Sequence, residues 1–167
     1  MNDLNEKILQ WASDKGILAK GTPDGQLAKT IEELIETAQA VALYDLIAES
    51  YHFDDEDANE RLEHVKDGIG DVYVTLVIHA KLKGYEIPEA GANEDDYTNK
   101  ELFNDFGSGI SQLHKTSWDC AYIPLVSILH KLARNHCLTL RECVEHSYNV
   151  IYKRTGEMID GVFVRDN

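Results

Sequence analysis

The chain is short of positive charge. Its 167 residues hold 30 Asp and Glu against 16 Lys and Arg, a formal net charge of −14. Nonspecific binding to nucleic acid or to an anionic membrane needs the opposite sign, so neither is an expected partner. The acids are spread along the sequence and not gathered in a tail, so most should form a solvated surface. Paired cysteines are missing too. Cys120, Cys137 and Cys143 are odd in number and include no CxxC, which gives no disulfide framework. The N-terminus is polar, without a basic start and apolar run, so no signal peptide is expected. The longest apolar run, Val72 to Ala80, is broken by Thr75 and His79 and is too short to span a bilayer. These absences point to a cytoplasmic protein.

Absent motifs narrow the chemistry. There is no GxxxxGKS or GxxxxGKT, so phosphates are not held by a P-loop. There is no HxE with PCxxC, which argues against a zinc deaminase. His136, Cys143 and His146, with Cys137 nearby, lack the paired spacing of a zinc site. No strand series stands out before the C-terminal GVFV.

What remains is helical periodicity. Leu4, Ile8 and Trp11 lie at i, i+4, i+7 and predict a first helix ending near Gly16. The stretch GILAKGTPDG reads as a loop. Pro23 after Thr22 opens a long helix to about Glu49, with Leu27, Ile31, Leu34, Ala38 and Val41 on one face. Asp57 with Glu60 fits a capping box for a third helix that ends at Gly84. Residues 85–97 read as a loop. Thr98 with Glu101 caps a helix to about Lys115, which Gly107 and Gly109 weaken. A further helix runs from Trp118 to His136, with Pro124 in an early turn or at a kink. Thr139 with Glu142 caps the last, which reaches about Arg154. The expectation is one all-α domain over 1–167, an antiparallel bundle with a short extended C-terminal tail.

Two helices carry acids where an apolar face should be. TIEELIETAQ places Glu32 and Glu33 one turn from Glu36, and KDGIGDVYVTL places Asp67 and Asp71 at i, i+4. Like charges beside an apolar face repel, and burial without a partner is costly. A hard divalent cation such as Mg²⁺ removes that difficulty and shares its sphere with phosphates. The alternative is an ordinary acidic surface. Gly68 and Gly70 flank the aspartates, which suggests close approach of a helix or ligand, or packing alone.

Taken together, QLAKTIEELIE, KDGIGDVYVTL and YNVIYKRTGEMIDGVFV resemble the MazG-like nucleotide pyrophosphohydrolases, especially the phage-type branch. The resemblance covers roughly the first half of the chain and its last thirty residues. It implies an all-α bundle that cleaves a nucleoside triphosphate (NTP or dNTP) to a monophosphate and pyrophosphate. It implies Mg²⁺, for which Mn²⁺ can substitute, and a homodimer or homotetramer. Glu33 and Glu36 match the metal-binding glutamates of the family's first motif, and Asp71 the aspartate of the second. One position departs: the family's second-motif glutamate falls on Gly68. Asp67, one residue earlier, either replaces it or leaves the site with fewer ions.

The remaining roles follow from this chemistry. Glu32 or Glu33 would accept a proton from the attacking water. Lys29, Asn149, Lys153 and Arg154 would assist the leaving pyrophosphate, or are ordinary surface groups. Trp11 either stacks on a base or packs in the core. Two readings compete. A di-iron carboxylate bundle wants ExxH, whereas Glu60 to His64 and Glu142 to His146 are one residue too long. A degenerate relative that binds nucleotide or protein without turnover is kept open by Gly68.

Overall fold

The computed structural model describes residues 1–48, 55–91, 93, 95–115, 121–159 and 162–166. Seven helices occur among them: α1 (Asn2–Asp14), α2 (Ile17–Lys20), α3 (Pro23–Ala48), α4 (Asp55–Leu82), α5 (Asn99–Lys115), α6 (Tyr122–Asn135) and α7 (Leu140–Ile151). Two short strands, β1 (Gly156–Ile159) and β2 (Val162–Arg165), follow. The chain is therefore all-α apart from this terminal hairpin. Among the described residues no helix is long and apolar enough to cross a membrane.

Helix α4 is the axis of the molecule. It packs along α3 and α7 and also touches α1, α2 and α6. Every residue from Ile69 to Ala80 is buried. The run Val72–Ile78, apolar on all sides, is thus enclosed within one chain. Thr75 Oγ1 donates to the Val72 carbonyl at 2.8 Å, and His79 Nδ1 lies 2.8 Å from Tyr122 Oη. These bonds satisfy polar groups that would otherwise be costly in the core. Burial pushes the His79 imidazole down to about 4, with Lys83 adding to the effect.

Several local expectations hold. Thr139 and Glu142 form a reciprocal capping box, and Thr98 with Glu101 makes the same pair of bonds. Gly109 does not interrupt α5, because its missing side chain admits Leu125 of α6. The 85–97 segment carries no helix or strand at its described positions. It is fastened to α6: Arg134 donates to the carbonyls of Asn93 and Asp95, and Ser127 Oγ to that of Gly91.

Others are corrected. The stretch read as a loop after Gly16 contains the single-turn helix α2. Asp57 and Glu60 lie inside α4, which begins at Asp55, so they form no capping box at its start. Trp118, the expected start of α6, lies outside the described residues, as does Cys120. The extended tail is an antiparallel hairpin with Gly156 opposite Arg165 and Ile159 opposite Val162. The buried face of α3 also differs. It runs Leu27, Thr30, Glu33, Thr37, Val41, and Ile31 is 41% exposed. Thr30 and Thr37 return their hydroxyls to the carbonyls of Gln26 and Glu33, so a polar stripe faces inward without loss.

Candidate metal and nucleotide site

The acids meet between α3 and α4. The two glycines of KDGIGD explain how three helices approach there. A Cβ on Gly68 would stand 2.7 Å from Thr37 Oγ1 and 3.2 Å from its Cα. A Cβ on Gly70 would stand 2.1 Å from Ser147 Oγ and 2.2 Å from the Cys143 carbonyl oxygen. Gly68 thus seats α4 on α3, and Gly70 seats it on α7. The same contact accounts for the departure at Gly68. A glutamate there would have to grow into Thr37.

Beside this contact lies a cavity of about 330 Å³. Glu33, Glu36, Asp67 and Asp71 all line it, with Gln39, Ala40, Leu43, Arg61, His64 and Gly68. Glu33 and Asp71 are buried, at 7% and 8% exposure, whereas Glu36 is exposed at the rim. Asp67 and Asp71 each keep one buried carboxylate oxygen, Oδ1, without a hydrogen-bond partner among the described residues. Burial pushes the Asp71 carboxyl up to about 7, with Asp67 and Glu33 repelling its charge. Arg154 Nη2, 3.7 Å from Asp71 Oδ2, and Ser147 oppose that rise only in part.

The four acids suit a hard divalent cation: they offer oxygen ligands, and Asp71 Oδ1 is buried without a partner among the described residues. As the side chains stand, no group of three or more His, Cys, Asp and Glu among the described residues is placed to hold one ion. His146, weighed in the sequence as a zinc ligand, turns to the acids of α4, 3.3 Å from Glu63 and 3.6 Å from Asp67. Cys143 is buried, Cys137 is exposed and His136 bonds the Leu132 carbonyl, so these residues face different surroundings.

The other expected site residues divide. Lys29 binds Glu33 at 2.8 Å and Glu32 at 3.0 Å. Partial burial alone would lower its ammonium, but the two carboxylates outweigh that and raise it. Glu32 is exposed and is not among the residues that line the cavity, whereas Glu33 is. Arg154 reaches Asp71, while Asn149 and Lys153 are exposed beyond the cavity wall. Trp11 is buried at 8% exposure, edge-on to Phe163 of β2 at 6.0 Å between ring centroids. Its packed-core role replaces base stacking. Arg61 and His64 were missed. Their signal was periodicity: Arg61, His64, Gly68 and Asp71 fall at steps of three and four on α4.

One relative is the uncharacterized 18.2 kDa protein in the rep-hol intergenic region of Haemophilus phage HP1 (strain HP1c1), 31% identical over 81 residues. The match takes in 48% of this chain and 40% of that protein, so the chain spans well under two thirds of its relative. No protein-family model matches the chain, and no solved structure matches it.

Proposed function

We propose that the chain is a Mg²⁺-dependent nucleoside triphosphate pyrophosphohydrolase of the MazG-like kind, yielding monophosphate and pyrophosphate. The observation that carries this reading is Asp71: a carboxylate nine-tenths buried, one oxygen unpartnered, in a cavity shared with three more acids. Such a group is expensive to keep ionised unless a cation is meant to meet it. Glu33, Glu36, Asp67 and Asp71 would hold the ion. When bound, it would polarise a phosphoryl oxygen and make a water more acidic. Glu33, where the ion leaves it unliganded, would take the proton of the attacking water, with Lys29 keeping that carboxylate oriented. Arg154, relieved of Asp71 by the cation, would turn to the leaving pyrophosphate.

Self-association is part of the proposal. Ile31, Ile35 and Leu46 form an exposed apolar stripe on α3, at 41%, 54% and 67% exposure. A stripe of this kind suits a second copy. Val72–Ile78, by contrast, is covered within the chain and offers no apolar face to a partner.

A second reading, nucleotide binding without turnover, is favoured by the lack, among the described residues, of any three His, Cys, Asp or Glu placed to share an ion. Incubation with each ribo- and deoxyribonucleoside triphosphate and Mg²⁺, reading pyrophosphate, separates the two. Pyrophosphate with monophosphate supports the enzyme. Nucleotide binding without either product supports the second reading, and orthophosphate release would mean attack at the γ-phosphorus by a different hydrolase.

A further inference from the structure

The cavity has two unlike ends, and the antiparallel helices fix which residues share each. Thr37 meets Gly68, so Glu33 lies beside Asp71 and, ten residues along each chain, Leu43 lies beside Arg61. At a rise of 1.5 Å per residue the two ends are about 15 Å apart. The acid end has its cations beyond the acids: Lys29 on Glu33 and Arg154 on Asp71. The other end is different in kind. It offers Leu43, 47% exposed, with Ala40, the Gln39 amide, His64 and the Arg61 guanidinium. Arg61 makes no ion pair with another described residue, and its buried Nε lacks a hydrogen-bond partner.

We propose that the Gln39–Leu43–Arg61 end of this cavity receives the nucleoside, with the polyphosphate directed toward Glu33, Asp71 and Arg154. This rests on the nucleotide reading above and adds the substrate's orientation and its base-binding residues. Leu43 and Ala40 give an apolar wall for one face of a base. The planar guanidinium of Arg61 covers the other face, where it replaces lost water by a cation–π contact. Gln39 offers one donor and one acceptor group to the base edge. A cation that served only to balance the acids would pair with them, and among the described residues Arg61 does not.

The test compares two probes on the full-length protein with Mg²⁺: inorganic tripolyphosphate, and the α,β-methylene analogues of the nucleoside triphosphates, taken singly. Binding is read by calorimetry. Arg61→Ala and Leu43→Ala should each weaken the analogue by at least about 10-fold, the scale of a lost cation–π or stacking contact. They should leave tripolyphosphate within about twofold on the same reasoning. Arg61→Lys keeps the charge and loses the plane, and should not restore nucleotide affinity. Asp71→Asn should weaken both probes. Equal loss of both probes in Arg61→Ala, with rescue by Arg61→Lys, would make Arg61 a phosphate ligand and overturn the proposal. Unchanged nucleotide affinity in Arg61→Ala and Leu43→Ala would place the nucleoside elsewhere and also overturn it. Wild-type protein that binds neither probe would remove the nucleotide reading itself, and this inference with it.

Discussion

Helices α3 and α4 both bring carboxylates to their shared groove, but on very different terms. On α3 the acids sit at a solvent edge: Glu32 and Glu36 are exposed, and Glu33, buried, is answered by Lys29 at 2.8 Å. On α4 Asp71 lies within the stretch from Ile69 to Ala80 that is buried throughout, with Arg154 no closer than 3.7 Å. The difference comes from the glycines. By admitting Thr37 on one side and Ser147 on the other, they draw α4 so far inward that its acid goes with it. A solvated acid costs little and says little about function. An acid carried into the core is expensive, and the expense asks for a ligand.

The largest effect should come from removing acids on both helices. Glu36→Gln and Asp71→Asn each delete a charge with little change in volume. Pyrophosphate release should fall by at least about 100-fold in each, since one strong transition-state interaction is worth about 3 kcal/mol. Asp67→Asn should fall nearly as far and be partly rescued by higher Mg²⁺, if Asp67 stands in for the residue that Gly68 displaces. Full activity in Asp67→Asn would end that substitution idea.

The seat of α4 can be broken directly. Gly70→Ala forces a methyl into the Cys143 carbonyl and should cost about 3 kcal/mol in urea denaturation, at the upper end for overpacking. Gly68→Ala should cost less, roughly 1–2 kcal/mol, because part of its clash is with a hydroxyl that can rotate. Equal, negligible losses would show that the helices are not held this closely.

A subtler effect separates cost from function. Burial raises the Asp71 carboxyl from 3.8 to about 7, so between those pH values the folded chain holds a proton that the unfolded chain has released. Its contribution to stability therefore declines as pH rises from about 4 to about 7, and the full penalty remains above that. Without divalent ions Asp71→Asn should be more stable than wild type at pH 8, by roughly 1–3 kcal/mol, and the gap should close toward pH 4. Thermal melts across that range measure it. A variant less stable than wild type at pH 8 would mean that the Arg154 contact outweighs the desolvation of Asp71.

The smallest expected change concerns the outer face of α3. Ile35→Glu or Leu46→Glu should leave the melting temperature nearly unchanged while reducing the mass seen by light scattering. A wild-type monomer at micromolar concentration would refute self-association.

The comparison also shows what could be read from sequence. Helices α1 and α3 to α7 were legible because apolar spacing and the caps at Thr98 and Thr139 are local signals. The four acids were legible as two same-face clusters, and they do line one cavity. The inward face of α3 was legible in part. Leu27 and Val41 are buried and Leu34 packs against the core, but Ile31 is exposed, and the seating of Gly68 on Thr37 turns Thr30, Glu33 and Thr37 inward instead. Arg61 and His64 share a face of α4 with Gly68 and Asp71, which spacing alone could show, but their place in the cavity depends on which residues of α3 lie opposite, a tertiary fact. The hairpin escaped notice because its first strand, GEMI, is too short to show alternation.

The central claim is that these four carboxylates hold a divalent cation. Electron paramagnetic resonance of Mn²⁺ titrated into metal-free protein at pH 7.5, about half a unit above the Asp71 value, tests it without depending on turnover. The account predicts bound Mn²⁺ at micromolar to sub-millimolar concentration, displaced by Mg²⁺ and lost in Asp71→Asn. Free Mn²⁺ throughout the titration, or binding unchanged in Asp71→Asn, would contradict it.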